Sequence, residues 1–164
     1  MKPRIVVCEA FHVVGLRERF LPGKVEGIPM LWDRFIRRAG EVQSAIPGVT
    51  YGVCVSDRHY GTSASGEAGA APAFDYTAGI GVTSLDAIPQ GMSGVTVPGG
   101  TFAVFTHHGT MPGFHKTIAA IWREWIPASG LKPTGAPDFE RYDERFRHAS
   151  PTSEMDVYVP VVAP

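Results

Sequence analysis

An internal recurrence at an offset of 90 residues constrains what this chain can fold into. Val13 and Val14 line up with Ala103 and Val104, and Trp32, Ile36 and Gly40 with Trp122, Ile126 and Gly130. The identities are few. The order of predicted elements around them repeats as well, and order is harder to produce by chance than a shared Trp or Gly. In the first half, Ile5–Leu16 is rich in Val and Phe and reads as a strand. Ile28, Leu31, Trp32, Phe35, Ile36 and Ala39 then recur at helical steps, with Pro29 in the first turn and Pro47-Gly48 as the stop. Strands follow at Tyr51–Ser56 and Phe74–Val82, the second with strict alternation.

The second half starts the same way. Ser93–Val97 and Thr101–His107 read as strand, broken by Pro98, Gly99 and Gly100. Phe114, Ile118, Ile121, Trp122 and Trp125 form one helical stripe, ended by Pro127 and Gly130. Phe139–Phe146 and Met155–Val162 close the chain as strands, and Pro160 predicts an edge or an unpaired position in the last one. Each half thus reads strand, helix, strand, strand. Neither half can cover both faces of its own sheet. The expected fold class is therefore α+β, with two pseudo-twofold-related modules forming one antiparallel sheet and two helices packed on it. Residues 1–164 are expected to make one domain, with repeat halves of approximately 1–85 and 90–164 and a ligand cleft between them. Gly61–Ala73, nearly all Gly, Ala and Ser, is expected to be a mobile hairpin loop.

Length and composition allow this fold and exclude others. A chain of 164 residues buries roughly 70% of its unfolded surface, enough for a core without metal or disulfide staples. With 44% hydrophobic and 19% charged residues it is not a disordered chain. A net charge of -1 gives no global bias toward nucleic acid or an anionic membrane. No apolar run is long enough to span a bilayer, and the N-terminus has no leader pattern, so a cytoplasmic, unprocessed protein is expected. Cys8 and Cys54 are expected to be reduced and structural.

Familiar catalytic patterns are missing: no GxSxG, no HExxH and no phosphate loop ending in Lys-Ser/Thr. The six histidines have no metal-ligand spacing, so neither a metal nor a cofactor is expected. Glu140 and Tyr142 share one face of their predicted strand. If Phe139 packs toward the helices, Glu140 points away from them, into the cleft or into water. A carboxylate beside aromatic walls suits a flat cation, because rings give area and cation–π attraction while the carboxylate gives the countercharge. The Arg34, Arg37 and Arg38 face of the first helix reads as solvated.

Several segments together resemble a known family. They are Pro89-Gln90-Gly91-Met92, Val97-Pro98-Gly99-Gly100-Thr101-Phe102-Ala103-Val104-Phe105, His108-Gly109, Ile118 through Gly130, Pro137-Asp138-Phe139-Glu140-Arg141-Tyr142 and Met155 through Val161. In this order they resemble the GyrI-like small-molecule-binding domain, also called the AraC-type effector-binding domain. The resemblance implies two pseudo-twofold modules around a cleft for hydrophobic, often cationic, small molecules. It places Glu140 in that pocket with Tyr142 beside it, and it points to Tyr51, Tyr76, Phe105 and Trp122 as wall residues. Regulators of this family carry a helix-turn-helix module, and none is expected here beside residues 1–164. A stand-alone form without direct nucleic acid binding is therefore expected. Such relatives include binders or sequestering proteins, a modulator of DNA gyrase, and hydrolases of strained cyclopropane-type toxins. In a hydrolase Glu140 and Tyr142 would be the catalytic pair. An interaction module would use the Arg34–Arg38 face or the sheet edge near Pro160. Exposed sheet edges also point to a possible homodimer.

Overall fold

In the computed structural model, residues 2–57 and 72–162 are described. Apart from Pro72 and Ala73, the expected loop at 61–73 lies outside them. The strands are β1 (Arg4–Cys8), β2 (Phe11–Phe20), β3 (Ala45–Ser56), β4 (Phe74–Val82), β5 (Ser93–Val97), β6 (Gly100–His108), β7 (Lys132–Pro133), β8 (Asp138–Tyr142) and β9 (Glu154–Val162). Helix α1 spans Ile28–Arg38. The second helical segment is continuous but composite: α2 (Phe114–Ala120), a π-helical stretch (Ile121–Trp125) and α3 (Ile126–Ser129).

One antiparallel sheet runs β1-β6-β9-β8-β3-β4-β2-β5, with the short β7 added to β9. The order is palindromic. β8 and β3 meet at the centre, β9 mirrors β4, β6 mirrors β2, and β1 mirrors β5. Tyr51 and Arg141, related by the offset of 90, are themselves register partners in the β3–β8 pair, so the pseudo-twofold axis passes beside them. The first strand of each half pairs with the second strand of the other: β1 with β6, and β5 with β2. The halves therefore exchange strands.

This exchange corrects two expectations. Ile5–Leu16 is not one strand, because the chain leaves β1 at Cys8 and enters β2 at Phe11. Each module accordingly has a leading strand that the four-element reading lacked. β1 is at one end of the sheet and β2 is next to the other end. In a flat sheet they would be about 29 Å apart, whereas Cys8 to Phe11 spans at most about 11 Å. The sheet must therefore curl. Gly99, in the matching β5–β6 crossover, packs beside the first one: a Cβ there would lie 3.0 Å from the Ala10 nitrogen.

Curling makes an inner and an outer face. The inner face holds Val13, Val53, Val55, Val97, Phe102, Val104 and Phe139, all buried and all from strands. The outer face carries the helices. Leu31 and Phe35 of α1 pack with Val14, Leu16, Phe20, Tyr76 and Ala78, while Ile121 and Ile126 pack with Ala103, Phe105, Tyr142, Met155 and Val157. Two shorter corrections follow. The strand expected over Phe139–Phe146 ends at Tyr142, where Asp143 turns the chain by accepting from the backbone N–H of Arg145. Pro160 is not in an edge strand, since β9 lies inside the sheet. It sits beyond the β8 pairing, which reaches Tyr158, and there Thr134 donates its N–H to the Pro160 carbonyl.

Candidate functional site

The central strand β8 sets the site. Period-two alternation sends Phe139 and Arg141 to the inner face and Asp138, Glu140 and Tyr142 to the outer one. Phe139 stacks on Tyr158 with ring centroids 4.5 Å apart and meets Phe11 and Phe102 edge-on. The conditional reading that put Phe139 toward the helices is thus reversed. Its aromatic partners all lie inside the curl, and Glu140 is the residue beneath the helical layer.

Glu140 accepts two hydroxyl hydrogen bonds on one oxygen. Tyr142 Oη donates to Oε2 at 2.5 Å and Tyr76 Oη donates to the same atom at 2.7 Å. Tyr76 comes from β4, so its side chain must pass over β3 to get there. Gly52 of β3, paired with Ala78 on one side and Glu140 on the other, leaves the passage open. A Cβ at Gly52 would lie 2.1 Å from Tyr76 Oη and 2.6 Å from Glu140 Oε2.

Trp32 of α1 covers this group. Its indole N–H donates to Tyr76 Oη at 2.9 Å, and its ring meets Tyr142 edge-on at 5.2 Å. Trp32 packs against the core of both halves, so it spans the seam. Phe146 adds a further edge contact to Tyr142 at 4.8 Å.

The electrostatics follow from this enclosure. Burial raises the Glu140 carboxyl above its ordinary range, and the two tyrosine hydroxyls pull it part of the way back. Burial and the nearby carboxylate push both tyrosines well up, so they remain hydrogen-bond donors. Among the described residues no basic side chain bonds to Glu140. Arg141, its neighbour in sequence, is on the other face and binds Asp143. Asp138 stands two residues from Glu140 on the same face, and burial with the nearby Glu140 raises it to about 7. Cys54 of β3, the register partner of Asp138, feels both carboxylates; burial raises its thiol well above 9.0, so it stays neutral.

Of the residues expected to line a pocket, Glu140, Tyr142 and Tyr76 come together here. Tyr51, Phe105 and Trp122 do not join them. Tyr51 is on the inner face against Phe11, lining a separate cavity of about 100 Å³ with His12, Ile46 and Gly81. Phe105 is fully buried and stacked on Trp125 at 5.4 Å. Trp122 is 40% exposed. A larger cavity of about 320 Å³ lies far along the sheet among Pro98, Thr101, Pro160 and Val162. Sequence reading missed Trp32, which looked like one more member of a helical stripe. It also missed Asp138, although alternation alone puts it on the face of Glu140.

Comparison with known proteins agrees with this architecture. The family model of the GyrI-like small molecule binding domain matches residues 1–162. The transcriptional regulator BrlR of Pseudomonas aeruginosa is 38% identical over 163 residues, covering 98% of this chain and 56% of BrlR. The probable transcriptional regulator YgiV of Escherichia coli K12 is 36% identical over 72 residues, 43% of this chain and 45% of YgiV. The chain thus spans about half the length of the curated relatives it matches. Among solved structures, SAV2435 bound to tetraphenylphosphonium superposes with a TM-score of 0.75 at 16% identity, covering 99% of this chain and 94% of that one. A transcription regulation protein from Staphylococcus aureus gives 0.69 at 18% identity, with 98% of both chains covered. Among the described residues no helix is long and apolar enough to cross a membrane. With the matched model running almost end to end and BrlR alike over nearly the whole chain, this protein belongs to the GyrI-like small molecule binding domain family.

Proposed function

We propose that this domain binds an apolar, aromatic cation over Glu140, between Trp32 and Tyr142. One observation carries the reading: a part-buried carboxylate that is held by hydroxyl groups and has no basic partner among the described residues. Such a charge is costly in a low-dielectric site, and a cation entering from water offsets that cost. Aromatic faces add burial and cation–π attraction. The fold match to a protein bound to tetraphenylphosphonium supports the same ligand class.

The binding sequence follows from the contacts. Trp32 occupies the space over the carboxylate, so a ligand displaces or re-stacks the indole and takes its aromatic contacts with Tyr142. Tyr76 and Tyr142 keep Glu140 Oε2 in place by hydrogen bonding. The other oxygen, Oε1, takes no side-chain hydrogen bond among the described residues and is left for the incoming charge. The rings fix the ligand plane and the carboxylate fixes where its charge sits.

Titration with tetraphenylphosphonium, followed by calorimetry and by Trp fluorescence, tests this. Wild type should bind, and Glu140→Gln should bind at least about tenfold more weakly, the scale of losing one partly buried charge contact. Equal affinity in the variant would remove Glu140 from the function. Any chemically altered ligand that requires Glu140 would replace binding with hydrolysis as the activity.

A further inference from the structure

We propose that Asp138 is a second countercharge in the same site, and that it selects dicationic aromatic ligands over monocations of the same shape. The inference rests on the ligand reading just given. Asp138 and Glu140 are successive outward-facing residues of one strand, which separates their backbone positions by about 7 Å. A strand holds that spacing rigidly, unlike two carboxylates on a loop. Asp138 is part-buried; its carboxylate accepts from its own backbone N–H, and among the described residues no side chain makes a hydrogen bond or ion pair with it.

Its surroundings favour a ligand over a structural partner. Glu140 is the charged neighbour on its own strand. β3 contributes Cys54, a neutral thiol, with Tyr76 beyond it on β4. On the other flank β9 presents Val157 and Val159 to the outer face. None of these groups supplies positive charge. Two carboxylates so close repel, which is one reason Asp138 holds a proton more readily than an exposed aspartate. A dication relieves that repulsion and satisfies both groups, whereas a monocation satisfies Glu140 alone.

A matched pair of probes isolates the effect. N,N′-dimethyl-4,4′-bipyridinium is a planar dication whose nitrogens are separated by about the β8 spacing. N-methyl-4-(4-methylphenyl)pyridinium has the same outline with one charge. Wild type should bind the dication about tenfold more tightly. Asp138→Asn should abolish that preference, weakening the dication about tenfold more than the monocation. Asp138→Glu, which keeps the charge, should restore part of the preference. Glu140→Gln should weaken both probes. Equal affinity of wild type for the two ions, or an equal loss of both in Asp138→Asn, would overturn the role of Asp138. If tetraphenylphosphonium binds and the dication has no advantage, only this inference fails. If none of the three binds, the ligand reading fails with it.

Discussion

At Gly52 a missing side chain lets a tyrosine cross a neighbouring strand. Glycine is usually needed where φ is positive, but here it is needed for clearance. Gly52→Ala should push Tyr76 off Glu140 and lower stability by about 1–3 kcal/mol, read from urea unfolding at unchanged m-value. A loss below about 0.5 kcal/mol would mean that Tyr76 reaches the carboxylate by another route. Two aspartates near the site should act on stability with opposite signs. Asp138 rises from 3.8 to about 7 on folding, so the native state holds the proton more tightly. Its contribution is present below pH 4 and is lost as pH rises toward 7. Asp143 falls from 3.8 to about 2, chiefly through the Arg145 guanidinium. Its contribution is present above pH 4 and is lost as pH falls toward 2. Asp138→Asn should therefore flatten the stability profile between pH 4 and 7, and Asp143→Asn should flatten it below 4. A profile unchanged by Asp138→Asn would show that the carboxyl titrates alike in both states. That Glu140 and Tyr142 share one face was legible from the sequence because alternation is a local rule, whereas their assignment to a pocket came from the family resemblance. Their contacts with Tyr76 and Trp32 were not legible, because these depend on how β4 and α1 approach β8.

Among elements, the second helix departs furthest from its sequence pattern. The stripe from Phe114 to Trp125 predicts five inward side chains, yet Trp122 is outside. The π-helical stretch over Ile121–Trp125 fits one extra residue into its turn. The wider turn shifts the helical phase, so Ile121, Trp125 and Ile126 take the inward positions. Trp125→Ala should cost about 3 kcal/mol by removing the ring stacked on Phe105. Trp122→Ala should change stability by about 0.5 kcal/mol or less. Thermal or denaturant unfolding of both variants checks the assignment, and equal losses would put Trp122 back in the core. Helix phase was unreadable here because a π turn obeys the same apolar spacing over short windows. The break at Glu9-Ala10 was hidden for a related reason. Both flanking segments favour strand, and only the long-range pairing of each shows that they belong to opposite ends of the sheet.

For the whole molecule, the recurrence in the sequence did foretell two related halves and a single antiparallel sheet. What it did not contain was the exchange of leading strands, which is a property of pairing rather than of either half. Chain cleaved between Ala87 and Ile88 should give two fragments that each lack a strand supplied by the other. Neither should unfold cooperatively alone, and mixing them should restore both cooperative unfolding and ligand binding. A fragment with its own sharp transition would show that the exchanged strands add little. The pairs to be made are also distant in sequence, so folding should be slow for a chain of this length.

The exchange also sets a timetable for synthesis. β2 emerges early, but β5, which covers its outer edge, is translated some eighty residues later. Throughout that interval an apolar strand has an open edge, the kind of surface that pairs with other chains. The seam that holds Trp32 over Glu140 closes only after β8 and β9 have left the ribosome. The proposed site over Glu140 is thus incomplete until β9 has been made, and the yield of folded protein depends on how long that first edge stays uncovered.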